Sequence, residues 1–311
     1  LSHGADARGP YAGVPYDGAD PANASLYRDN DAELMEHSWY TRNEKYHRDW
    51  YRRIKDVVDT LQPDLLYSDG PLPFGAYGEH LLAHLYNQSA ARNGGVNQAV
   101  YNQKNADPAM YKVGVLDIER GISEAIAQDP WQDDTSIGDW FYNVRDEYKT
   151  AEDIVDTLVD VVAKNGNLLL NVTQRPDGTL DDECLYTLEK IGAWMQDNGR
   201  GIFATRPYRK MGEGAAALAA GSFQEGRAKW TREDFRFTAD KDGAAVNAFL
   251  MRDEGCRQAR VVSLGRIYER EIRRVSVYGE AAAFRQKDGC LEVELPVNRH
   301  PGMPMCIRAE F

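Results

Sequence analysis

Apolar residues recur along this chain in two textures, and the change between them comes near residue 208. In the first texture helical spacing alternates with short apolar runs. Ile54, Val57, Val58 and Leu61 fall at helical spacing and predict a helix over 30–61, stopped by Pro63. DLLYSD (64–69) follows as a strand. GEHLLAHLYNQSAARNGG (78–95) predicts a helix closed by Gly94 and Gly95, and QAVYNQ (98–103), KVGVLDIER (112–120) and DTSIGDWFYN (134–143) predict strands. AEDIVDTLVDVVAKNG (151–166) predicts a helix with Gly166 as its C-cap. NLLLNVT (167–173) predicts a strand buried on both faces, and DGTLDDECLYTLEKIGAWMQDNG (177–199) a turn and a helix closed by Gly199. Strands separated by helices argue for a parallel sheet of βα units.

In the second texture DFRFTAD, AVNAFLM, ARVVSLG, RVSVYG, LEVELP and MCIRAEF are short, alternating and separated by turns. They predict an antiparallel β-sandwich over 208–311. AAALAAG (215–221) reads as a loop or short helix, and residues 1–25, rich in Gly, Pro, Asp and Ala, as a loop. The first part, 1–207, supplies about five strands. A (β/α)8 TIM barrel needs about eight strands, so if 1–207 is a barrel, about three strands are expected upstream of Leu1.

Composition narrows the function classes. The 311 residues carry a net charge of −12, which argues against a non-specific grip on nucleic acid or anionic membranes. No apolar run has transmembrane length. Cys184, Cys256, Cys290 and Cys306 form no CxxC pair, so neither a zinc motif nor a disulfide framework is implied. Seventeen Tyr and six Trp can pack cores or form platforms for sugar rings. Sequons at Asn23, Asn87 and Asn171 carry little weight, because such triplets arise by chance.

Parallel α/β folds build their sites at the carboxyl ends of strands. Asp69 in LLYSDG, Glu119 in VLDIERG, and Asp139 with Trp140 in SIGDWFYN stand at such ends. Two carboxylates beside aromatic rings are what glycoside hydrolysis requires: one attacks or stabilises the anomeric carbon, the other protonates the leaving oxygen. Each residue also has a structural reading. Asp69 can cap the turn before Gly70, Glu119 can pair with Arg120 or Arg53, and Trp140 can pack in the core. His80 and His84, at i and i+4, lack a third ligand and read as a packed or solvated pair.

PDLLYSDG, PWQDDTSIGDWFYN and AKNGNLLLNVTQRPDGTLDDECLYTLEKIGAWMQDNGRGIFATRPY together resemble the α-L-fucosidases of glycoside hydrolase family 29. The match runs from SHGADARGPYAGVPYDGADP through ATRPY. The resemblance implies a retaining (β/α)8 glycosidase, here lacking its first strands, followed by a C-terminal sandwich. It implies Asp69 as nucleophile and Glu119 as general acid/base, with Glu124 as the runner-up. It maps the aromatic wall of the sugar site onto Tyr67 and Trp140, the latter facing the C6 methyl of fucose. A tandem His-His of the family's early strands is absent, and QAVYNQK stands where an arginine often precedes the acid/base strand.

The function expected on this resemblance is hydrolysis of terminal α-L-fucose from oligosaccharides or glycoconjugates, with no metal and no organic cofactor. Two rivals stay open: a non-catalytic carbohydrate-binding protein on the same fold, and a retaining glycosidase for another sugar. The expected partner is the fucosylated substrate, without nucleic acid or membrane insertion. An extracellular or periplasmic location is expected ahead of a cytoplasmic one, and the oligomeric state is left open.

Overall fold

The first apolar stripe forms the helix its spacing predicts, over α1 (Glu44–Leu61), in the computed structural model, which describes residues 10, 12–14, 44–104 and 113–311. The predicted residues 30–43 and nearly all of the predicted loop 1–25 lie outside the described residues. Val58 is fully buried, with Trp50, Tyr51 and Ile54 packed near it. Val57 and Leu61, counted in the same stripe, are 39% and 72% exposed. The burying arc is therefore narrower than the run of apolar letters.

The chain divides into two compact units, Leu1–Val115 and Leu116–Phe311. In the first, β1 (Leu65–Ser68) pairs in parallel with β2 (Val100–Lys104), Leu66 beside Tyr101 and Tyr67 beside Asn102. Between them runs α2 (Ala76–Arg92), ending just ahead of Gly94. Its Leu81 and Leu85 join Val58 and Ala99 in one cluster, against which Leu66 packs.

The second unit opens within β3 (Val115–Glu119), which pairs in parallel with β4 (Trp131–Ser136), and β4 with β5 (Gly166–Asn171). One sheet face is largely apolar. Leu116 and Ile118 pack with Trp131 and Val161, while Leu168 and Leu170 pack with Ile137 and Ile154. Ile154 and Val161 come from α3 (Ala151–Ala163), which starts on a capping box between Thr150 and Asp153.

Two predicted boundaries are corrected here. The short strand expected within 134–143 is β4, Trp131–Ser136, which starts ahead of that stretch, and Ile137 onward bends away. Asp133 and Asp134 are 1% and 9% exposed within the strand. Gly166 is not a C-cap: Lys164 caps α3, Asn165 takes the left-handed conformation at φ 72°, and Gly166 already begins β5. A Cβ on Gly166 would lie 2.6 Å from Val161 and 2.7 Å from Trp131, so close helix–strand packing is what requires glycine.

Helix α4 (Asp182–Asn198) ends at Gly199, as predicted. The remaining strands run β6 (Thr205–Glu213), β7 (Phe235–Asp240), β8 (Ala245–Leu250), β9 (Gln258–Val261), β10 (Arg274–Val277), β11 (Glu280–Ala281), β12 (Phe284–Gln286), β13 (Leu291–Glu294) and β14 (Met305–Glu310). They form a six-stranded sheet ordered β11-β10-β14-β8-β7-β6 and a three-stranded sheet ordered β12-β13-β9. Phe235, Phe237, Val261, Leu291 and Ile307 fill the core between them, giving a β-sandwich. The six-stranded sheet is covered on its other face too. Val155 and Val159 of α3 and Trp194 of α4 pack on Phe249, Met251 and Cys306. Helix α3 thus packs against both sheets, which explains why its apolar residues cover a wide arc while Glu152, Asp153, Asp156 and Asp160 gather on the rest. The stretch 215–221 is a loop.

Candidate active site

Strand alternation sorts the side chains of the site. In the first unit Leu66 turns into the helical core, so its neighbour Tyr67 belongs to the opposite face of the β1–β2 pair. Asp69 stands one residue past the carboxyl end of β1. The turn there closes through backbone, Gly70 N–H to Ser68 O at 2.9 Å, and Lys104 N–H to Gly70 O at 3.1 Å ties it to β2. The Asp69 side chain is 84% exposed, with Lys104 Nζ at 3.7 Å.

In the second unit the register sets Asp117 beside Gln132, and Glu119 beside Asp134. Partners in a parallel register share a face. Gln132 Nε2 donates to the Asp117 carboxylate at 2.5 Å. Asp134 lies beside Leu169, and Ser136 beside Asn171. The face opposite α3 is therefore polar, and Glu119 stands on it at the carboxyl tip of β3.

Trp140 lies on the bend that follows β4 and is half-buried. Asn171 Nδ2 donates to Trp140 O at 3.3 Å and to Ser136 Oγ at 2.9 Å, which ties the bend to the carboxyl ends of β4 and β5. The guanidinium of Arg120 sits 4.6 Å from the centre of the indole. Arg120 follows Glu119 directly, so the acid and the indole share one end of one sheet. Arg120 also pairs with Glu225 at 3.2 Å and donates to Gly138 O at 2.9 Å.

Glu124 sits elsewhere. The chain turns after Glu119, Ile122 enters the apolar cluster under Trp131, and Ala127 N–H reaches Lys164 O near the start of β5. Glu124 is exposed on this connection. His84 pairs with Asp59 at 2.5 Å, joining α1 to α2, and His80 is exposed. Among the described residues no group of three His, Cys, Asp or Glu could hold a metal ion, and no helix is long and apolar enough to cross a membrane.

Sequence reasoning missed a second polar cluster, on the helical face of β4. Asp133 accepts from Gly121 N–H at 3.2 Å. Burial pushes its carboxyl up to about 7; the Gly121 hydrogen bond and Lys149 pull it down, and Glu225 and Asp134 add to the rise. Glu225 is also pushed up by burial, but hydrogen bonds from Lys149 and Thr135 and the charges of Lys149 and Arg120 prevail and hold it below its usual value. Both acids line a cavity of about 200 Å³ with Gly121, Ile122 and Leu218. Nothing local in the letters pointed to a buried Asp133 or to Glu225.

The family described as alpha-L-fucosidase matches residues 3–200 of the chain. Plasma alpha-L-fucosidase of Homo sapiens is 28% identical over 172 residues, spanning 51% of this chain and 36% of that protein. Tissue alpha-L-fucosidase of Rattus norvegicus is 29% identical over 170 residues, again 51% of this chain and 36% of that protein. The chain thus spans about a third of the length of the curated relatives it matches. The alpha-fucosidase of Thermotoga maritima, solved in complex with fucose, superposes with a TM-score of 0.64 at 21% identity, covering 86% of this chain and 57% of that one. Alpha-L-fucosidase isoenzyme 1 from Paenibacillus thiaminolyticus gives 0.63 at 16% identity, covering 96% and 66%. These structures speak for the fold: a TIM-like α/β part followed by a β-sandwich.

Proposed function

Because the chain belongs to the α-L-fucosidase family, we propose that it serves a retaining α-L-fucosidase acting on terminal α-L-fucose of oligosaccharides or glycoconjugates. The observation that carries the reading is the placement of the two acids. Asp69 follows the carboxyl end of β1 and Glu119 closes the carboxyl end of β3, the ends at which parallel α/β sheets place their chemistry. The α/β part is read as a partial (β/α)8 barrel over 1–207, and 208–311 as the sandwich domain.

In this mechanism the Asp69 carboxylate attacks the anomeric carbon while the Glu119 carboxyl gives its proton to the departing oxygen. A covalent glycosyl-enzyme results, and the aglycone leaves as an alcohol. Glu119, now a carboxylate, takes a proton from water, whose oxygen displaces Asp69 from the same carbon. Two inversions retain the configuration. Tyr67 and Trp140 form the aromatic wall, Trp140 against the C6 methyl. Glu119 is preferred to Glu124 because it closes β3 itself, whereas Glu124 lies in the connection that follows.

The test is turnover of an aryl α-L-fucoside by the protein that carries this chain, followed by NMR from the first turnovers. The expected first product is α-L-fucose. No turnover of the fucoside, or the β anomer appearing first, would overturn the reading.

A further inference from the structure

We propose that Glu225, a residue of the segment between the sandwich strands β6 and β7, is a positioning residue for the sugar-binding wall. Through Arg120 it holds the indole of Trp140 at the mouth of the site. The inference rests on the role given to Trp140 above.

The segment carrying Glu225 is strapped to the end of β3 by backbone. Gly221 N–H donates to Ile122 O and Phe223 N–H to Glu119 O, each at 2.9 Å. Gly121 permits the approach, since a Cβ there would stand 1.9 Å from Gly221 O. Arg120, between these two attachments, takes the left-handed conformation at φ 45°, with its N–H on Asp134 O at 2.9 Å. That turn carries the arginine side chain from Glu225 to the indole.

Glu225 uses both oxygens to hold cations. One accepts from Lys149 Nζ at 2.6 Å and from the Thr135 hydroxyl, and the other faces Arg120 at 3.2 Å. Lys149 in turn donates to Thr135 Oγ1 at 2.7 Å and to Ser136 O at 2.8 Å, so the carboxylate clamps the end of β4 as well. Arg120 then lies on the Trp140 ring and on Gly138 O, fixing the bend that carries the indole. Glu225 lines the cavity on the helical face of the sheet, opposite Glu119. Its part is to aim Arg120 and the indole, while the reacting atoms belong to others. A guanidinium between a carboxylate and an indole has a planar geometry that Lys cannot copy.

The test has two arms. In the full chain labelled with 6-fluorotryptophan, the Trp140 signal is assigned by its loss in Trp140→Phe. Glu225→Gln is expected to move or broaden that signal and to leave the Trp194 signal, from the core against Pro304, in place. An unmoved Trp140 signal overturns the proposal. If Glu225→Gln fails to fold, Arg120→Lys keeps a charge for Glu225 but lacks the planar fork, and the same signal decides. In the kinetic arm, Glu225→Gln is expected to raise KM for an aryl α-L-fucoside at least about threefold while kcat stays within about twofold. A fall in kcat with KM unchanged overturns the proposal. A parent protein without fucosidase turnover would sink the functional reading, and the fluorine signal would still decide the role of Glu225.

Discussion

Asp160 of α3 and Arg236 of β7 meet at 2.5 Å with 0% and 3% of their side chains exposed. Lys164 reaches the other oxygen of Asp160 at 2.7 Å, itself 2% exposed. One buried anion therefore serves two buried cations, and it joins the helix to the sandwich sheet. Asp160→Asn is expected to strand both cations and to cost about 3–5 kcal/mol. Arg236→Met should cost less, because Lys164 keeps its partner. Guanidinium midpoints of the two variants check the order, and equal losses would contradict it.

Asp133 ties stability to pH. Burial raises its folded carboxyl to about 7 from 3.8. A raised carboxylate means that the folded state holds a proton the unfolded state has released. Stability from this group is therefore present below about pH 4 and falls as pH rises to about 7. Asp156, raised to about 6 by burial against the pull of Arg252, acts in the same direction. Asp133→Asn keeps an acceptor for Gly121 N–H and removes the charge. The variant should melt higher than its parent at pH 8 and close to it at pH 4. A gain that is equal at both values would contradict the assignment.

Asp69→Ala should lower kcat by at least about a hundredfold if Asp69 is the covalent nucleophile. Azide should restore part of the turnover by entering the vacated space. Lys104, at 3.7 Å from the carboxylate, remains to attract the anion. A variant retaining more than about a hundredth of parental kcat would remove Asp69 from the role.

Residues 208–311 have the size of a self-standing sandwich. Without α3 and α4, however, Phe249, Met251 and Cys306 lose the cover of Val155, Val159 and Trp194. The cut also removes Thr205–Pro207 from β6, whose pairing with β7 begins there. The isolated fragment should bind a hydrophobic dye and lack a sharp thermal transition. A soluble fragment with a cooperative melt would show that the helices are dispensable.

What could be read from the letters was whatever neighbouring residues specify together. Leu168–Leu170 marked a strand, but not one buried on both faces as expected, since Leu169 is 49% exposed on the polar side; Asp69 and Glu119 stand at strand ends whose turns lie within a few residues. Turn chemistry and side-chain period are local, so the parallel sheet and the sandwich were legible before any coordinates, while Asp69 and Glu119 were singled out by strand-end position together with the family resemblance. Tertiary structure decided the rest. WQDDTS could become β4 only because Asp117, Gly121 and Lys149 engage its polar groups from other segments. Gly166 is required by two side chains that pack over it. Arg236 finds Asp160 across 76 residues, and Arg120 finds Glu225 across 105. Polar pairing at such separations leaves no period in the chain. It exists only once folding has brought the partners together and burial has made each costly to leave alone.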